Sequence, residues 1–153
     1  MESKLKHLEL IQGVINRLAS DSFRMKGWTV VLVAAVLVFL ARQDAFHAGY
    51  IALVPIAAFW GLDGYFLWQE RLFRALYDNV RTVPAENIDF SMDVRTYRGP
   101  LRHSWLGTTF SRTLAFFYGG LLVFVLVTVF AVGGEQESSA VLRGAHAPIP
   151  GNG

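Results

Sequence analysis

The 153-residue chain has no cysteine, and only 17% of its residues are charged. The first absence excludes a secreted fold built on disulfides. The second falls below the roughly 25% expected of a soluble domain and argues against a soluble two-layer enzyme. The motifs of common catalytic folds are also missing. There is no glycine-rich phosphate loop, no GxGxxG and no GxSxG. His7, His47, His103 and His146 lie on four different segments, and no pair has metal-ligand spacing. Arg98–His103 matches the Arg-x4-His string of a helical ribonuclease family, but Gly99-Pro100 breaks the helix that string requires. Lys4, Lys6 and Lys26 all fall on the inner side of the topology derived below, away from the external face a Ser/Lys peptidase dyad needs. The sequence therefore predicts a non-enzyme, with no catalytic, cofactor-binding or metal-binding residues to name.

What is present is apolar. Hydrophobic residues make up 53% of the chain, and mean hydropathy is +0.36. The excess sits in three runs: Gly27 to Ala41, Gly49 to Trp68 (interrupted only by Asp63) and Thr113 to Val132. The last two are long enough to cross a hydrocarbon core of about 30 Å as helices. The first rises only about 22 Å. It needs Lys26 and Arg42 to snorkel and Trp28 to sit at the interface. A cleaved signal core is the other reading of this run, although Ala41-Arg42-Gln43 is a poor cleavage site.

The net charge of +2 conceals an asymmetry. Lys4, Lys6, Arg17, Arg24 and Lys26 precede the first run. Arg71, Arg74, Arg81, Arg95, Arg98, Arg102 and Arg112 lie between the second and third. Only Arg42 and Arg143 fall elsewhere, so twelve of the fourteen basic residues share one side. The positive-inside rule then predicts a cytoplasmic N-terminus, a short external loop at 42–48, a cytoplasmic segment at 69–112 and an external C-terminus. The expected fold class is an all-α integral membrane protein with three transmembrane helices.

Two helices are expected to extend into the cytoplasm. Residues 1–21 read as an amphipathic helix, with Leu5, Leu8, Ile11, Val14, Ile15 and Leu18 at spacings of three and four. Ser20-Asp21-Ser22 offers caps for a separate helix entering the membrane. The second helix is expected to run from about Gly49 to Arg81, since no breaker separates the second apolar run from Gln69–Arg81. It carries a stripe of Leu72, Phe73, Leu76, Tyr77 and Val80, with Glu70/Arg74 and Arg74/Asp78 at i,i+4. The interaction stripe is thus Leu8, Ile11, Ile15 and Leu18 with Leu72, Phe73, Leu76 and Val80. The N-terminal part packs on the chain's own second helix, pairs with another subunit, or lies on the anionic leaflet.

Asp63 is the one ionisable group inside an apolar run. An intramembrane acid is costly and marks an ion or proton site, or else a structural pair near the interface with Lys26 or Arg24. Pro55 and the Gly61/Gly64 pair make its helix bendable. Ala48/Ala52, Ala57/Gly61 and Gly119-Gly120 suit close helix contact, with Gly119-Gly120 also readable as a hinge. In the inner loop, Ile88–Asp93 alternates apolar and acidic residues and reads as a short strand or an ordered docking stretch. Arg95, Arg98 and Arg102 then form either a candidate anionic-ligand cluster or a positive-inside signal paired to Asp89 and Asp93. Ser104-Trp105 opens the last helix. Residues 133–153 are rich in Gly, Ser, Ala and Pro and read as a disordered external tail.

The stretches Lys4–Arg17, Lys26-Gly27-Trp28, Phe59–Asp78 and Ile88–Asp93 resemble a group of small three-span bacterial inner-membrane proteins. The resemblance covers roughly residues 4–132. It implies a plasma-membrane location, carries no catalytic residues over, and by analogy suggests an effector in anti-phage defence. The expectation is an oligomeric membrane effector or channel-like assembly controlled from its cytoplasmic face. The alternative is an anchor or scaffold. The expected partners are the lipid bilayer, further copies of the chain and a cytosolic protein, but not nucleic acid.

Overall fold

In the computed structural model, residues 1–42, 46–99 and 104–145 are described, those at 46–48 and 132–145 by their backbone only. Four α-helices account for most of them: α1 (Glu2–Arg42), α2 (Leu53–Thr82), α3 (Trp105–Thr109) and α4 (Arg112–Ala145). Short 3-10 turns occupy Phe46–Ala52, Ala85–Asn87 and Arg95–Tyr97. Among the described residues there is no strand, so Ile88–Asp93 is not one. Three helices are long and apolar enough to cross a membrane, within Glu2–Arg42, Gly49–Thr82 and Arg112–Ala131.

The first correction to the sequence reading is that α1 is one helix of 41 residues, about 62 Å long. Ser20-Asp21-Ser22 caps nothing. No proline interrupts this segment, and its polar side chains have partners that leave the backbone helical. Asp21 pairs with Arg24 at 2.8 Å, and the Ser22 hydroxyl donates to Asp63. A second correction concerns Pro55. It sits in the first turn of α2, where a missing N–H removes no intrahelical bond. The helix ends at Thr82 because Val83, which precedes Pro84, is extended. The Lys4 ammonium donates to the Val83 carbonyl at 2.7 Å and to the Arg81 carbonyl at 3.1 Å, placing a cation at the negative end of the helix.

The last helix begins later and ends later than the sequence suggests. Ser104 caps α3, its hydroxyl accepting from the Gly107 N–H at 3.1 Å. The chain then breaks at Phe110-Ser111 before α4 starts at Arg112. The backbone stays helical through 133–145, which the sequence reading assigns to a disordered tail. Once a helix is nucleated, each added residue contributes a hydrogen bond. Glu135, Gln136, Glu137, Ala140, Leu142 and Arg143 are favourable helix formers. Residues 146–153 of that tail, and 43–45 of the expected external loop, lie outside the described residues.

The core divides in two. At the basic end, where the start of α1 lies against the end of α2, Ile11 and Ile15 pack with Leu72, Leu76, Val80 and the loop residue Val94. Farther along, Val33 packs with Ala52, Ile56, Leu114, Tyr118 and Val125, joining all three long helices. Two glycines permit the closest approaches. A Cβ on Gly64 would lie 2.2 Å from the Thr109 hydroxyl and 3.0 Å from the Thr109 backbone. One on Gly49 would lie 2.2 Å from a Val129 methyl. A Cβ on Gly119 or Gly120 would meet nothing within 4 Å among the described residues, so this pair is not a close-packing motif among them. Large apolar side chains instead cover the outside of the spans, Phe116 being 88% exposed and Phe39 and Phe130 also outward.

Candidate functional site

Asp63 is fully buried where the three long helices meet. On α1, Ser22 and Lys26 are one turn apart and therefore share a face. The Ser22 hydroxyl donates to Asp63 Oδ1. Lys26 Nζ donates to Asp63 Oδ2 at 2.6 Å and to Ser22 Oγ at 3.0 Å. From α4, the Tyr118 hydroxyl lies 3.2 Å from Asp63 Oδ2 and 3.3 Å from the Phe59 carbonyl, one donor facing two acceptors. The Lys26 side chain is 23% exposed and that of Asp63 is 0%. A second buried hydroxyl, that of Thr29, turns back onto the Met25 carbonyl at 2.7 Å.

Aromatic rings close the α4 side of this site. Trp60 stacks on Tyr118 with centroids 5.7 Å apart, and Phe117 meets Tyr118 edge-on. Trp60 Nε1 donates to the Thr109 carbonyl at 2.7 Å, and Trp105 Nε1 to the Gly61 carbonyl at 3.1 Å. Helix α3 is thereby fastened across α2, one turn from Asp63. Chemically, the arrangement is an acceptor-only carboxylate with donors from two other helices. It pins three helices together. Within one chain its oxygens are committed to those donors.

Of the two partners considered for Asp63 from sequence, Lys26 is the one used, and Arg24 pairs with Asp21 instead. The Lys26 ammonium, which the sequence reading has snorkelling, is held by Asp63. The sequence reading takes Ser22 only as a cap candidate and does not single out Tyr118. For Ser22 the signal was its i,i+4 relation to Lys26. Tyr118 in an apolar run carried none, because only the packing of α4 reveals its neighbour.

The remaining candidates divide. Ile11, Ile15, Leu72, Leu76 and Val80 bury one another, and Leu8 and Phe73 pack at their edge. Leu18 is half-buried outside that cluster. Glu70 is buried and pairs with Arg74 at 2.7 Å, while Asp78 pairs with Arg81 at 3.6 Å rather than with Arg74. The arginine cluster does not assemble among the described residues. Arg95 is bound to Asp93 at 2.7 Å, Arg98 lies over the Trp68 ring at 5.3 Å, and Arg102 is outside the described residues. The hydrogen bonds and charge of Arg95 pull the Asp93 carboxyl down from 3.8 to about 2. Ile88–Asp93 docks on the basic-end core through Ile88. It is shaped by side chain–backbone turns, with Asp89 Oδ1 accepting from the Ser91 N–H and Ser91 Oγ from the Asp93 N–H.

His7 is buried with its ring edge-on to Phe90, and its Nε2 has no hydrogen-bond partner among the described residues. His47 is described by its backbone only, and His103 and His146 are outside the described residues. Among the described residues no group of three His, Asp or Glu side chains has metal-binding proximity. No family model, curated protein or solved structure matches the chain.

Proposed function

We propose that this is a non-enzymatic, multi-pass protein of the bacterial inner membrane, with its N-terminus in the cytoplasm and its C-terminus outside. It acts as an oligomeric effector or channel-like assembly controlled from the cytoplasmic face. The observation that carries the reading is the pinned junction at Asp63. On one side of it lies a small helical core outside the apolar spans. On the other lies the three-helix apolar part. Two unbroken helices, α1 and α2, run through both. An event at the basic end is therefore transmitted to the spans without passing a flexible linker.

Most of the interaction stripe is buried inside the chain, so subunit contacts fall to the outward span faces, such as that of Phe116, Val123 and Val127 on α4. Three helices do not enclose a pore alone, and conduction requires several copies. Native mass spectrometry in detergent is expected to give a defined oligomer, and reconstituted protein to release dye from liposomes. A monomer that releases none overturns the effector reading.

A second reading, an anchor or scaffold for a cytosolic protein, is favoured by the exposed Leu5, Leu10, Phe90 and Met92 beside the basic-end core. Detergent pull-downs that recover no cytosolic protein remove its basis.

A further inference from the structure

The outward face of α1, opposite the Asp63 contact, holds an indentation where the apolar run begins. Phe23, Arg24, Gly27, Trp28 and Val31 line a groove of about 330 Å³. These positions fall on one side of a helix, and the notch exists because Gly27 has no side chain. A Cβ built there would meet nothing within 4 Å. Phe23 and Trp28 stand exposed on either side as apolar walls. Arg24 sits at the end nearer the charged segment, 61% exposed and joined to Asp21 by one nitrogen, Nη2, at 2.8 Å. A guanidinium has five N–H donors in a planar fork, so donors remain for a second anion. Lys26, the neighbouring cation, is directed inward onto Asp63.

We infer that this groove binds an anionic phospholipid. One acyl chain lies along the Gly27 notch beside Trp28 and Val31, and the headgroup phosphate is held by Arg24. Charge complementarity selects the occupant. The groove is apolar toward the span and cationic at its end, and Trp28 has the amphipathic ring that settles at headgroup depth. Because Lys26 is engaged inside the protein, selectivity for negative headgroups on this face of α1 falls to Arg24. The inference rests on α1 crossing the membrane and not on oligomerisation or conduction, so a failed dye-release experiment leaves it standing.

The test uses the full-length protein exchanged into nanodiscs of equal phosphatidylglycerol and phosphatidylcholine, then released for native mass spectrometry. The wild type is expected to retain phosphatidylglycerol in preference to phosphatidylcholine. Arg24→Gln is expected to cut that preference about fivefold, the effect of one basic residue near an anionic surface. Gly27→Leu fills the notch and is expected to abolish retention, with helicity by circular dichroism unchanged. Equal retention of the two lipids by the wild type overturns the inference, as does indifference to either substitution. A lipid-free dimer that Gly27→Leu dissociates also overturns it, by showing that a second copy occupies the groove.

Discussion

Asp63 and Lys26 concentrate the energetic risk of this protein in two side chains. Their attraction offsets a large desolvation cost, so removing one partner is worse than removing both. Asp63→Leu is expected to destabilise the protein by about 3–5 kcal/mol, by leaving an ammonium in an apolar junction. Adding Lys26→Met is expected to restore much of that loss. Tyr118→Phe removes one donor from a set of several and should cost about 1 kcal/mol. Thermal unfolding in detergent, followed by circular dichroism, measures all three. If Asp63→Leu alone leaves the midpoint unchanged, the junction is not a structural lock.

Asp93 gives a different kind of residue-scale prediction. Its carboxyl, held by Arg95, titrates at about 2 rather than 3.8. Because the folded value is the lower one, the contribution is fully present above the ordinary range near 4 and is lost as pH falls toward 2. The group lies at the surface, so the expected sign of this is local. Carboxyl NMR should find the midpoint near 2 and show it rising in Arg95→Gln, with the 88–97 loop loosening over the same interval of acid.

At the scale of elements, the glycines act in the opposite way to their sequence context. Gly64 stands where α3 crosses α2 against Thr109. Gly64→Val is expected to force the two apart at a cost of about 1–3 kcal/mol, with a change in Trp60 and Trp105 fluorescence. Gly119→Ala and Gly120→Ala meet no neighbour and should be neutral or stabilising by about 0.4–1 kcal/mol. If either lowers the stability of detergent-solubilised oligomer but not of monomer, the pair serves contacts between copies.

Much of the helix pattern was legible in the sequence, because apolar periodicity and charge-free runs are local properties. The stripe on α1 and that on α2 have the same 3/4 spacing, and they do meet. The breaks were legible less well. Ser20-Asp21-Ser22 has cap chemistry, but a cap forms only if its side chains lack better partners, and Asp63 lies 41 positions from Ser22. The helical 133–145 segment was misread because Gly and Ser composition outweighed the Glu, Gln, Ala and Leu residues among them. The junction itself was half legible. An acid in an apolar run announces a partner, and Lys26 was a candidate. Tyr118 comes from a helix whose register against α2 and the 3-10 turn before it is set by packing at Gly49–Val129 and by the Ala52, Ile56, Leu114 and Val125 core.

For the whole molecule, the proposed topology places the ends of α1 on opposite sides of the bilayer. The absence of cysteine makes this directly measurable, since single cysteines can be introduced without a background. Arg42→Cys is expected to react with an impermeant maleimide in intact cells, and Glu9→Cys only after lysis. The reverse pattern overturns the orientation while leaving the fold intact.

The uninterrupted course of α1 also has a mechanical side. From its entry near Lys26 to its first turn, the helix projects over roughly 35 Å beyond the apolar run. A tilt of about 10° about the Asp63 junction would carry its first turn through about 6 Å. Because Lys4 and the Ile11–Leu76 core strap that turn to the end of α2, the two helix ends would move together as one lever arm. Small rotations of the apolar portion and large displacements at the far end would then be the same motion, seen at two radii.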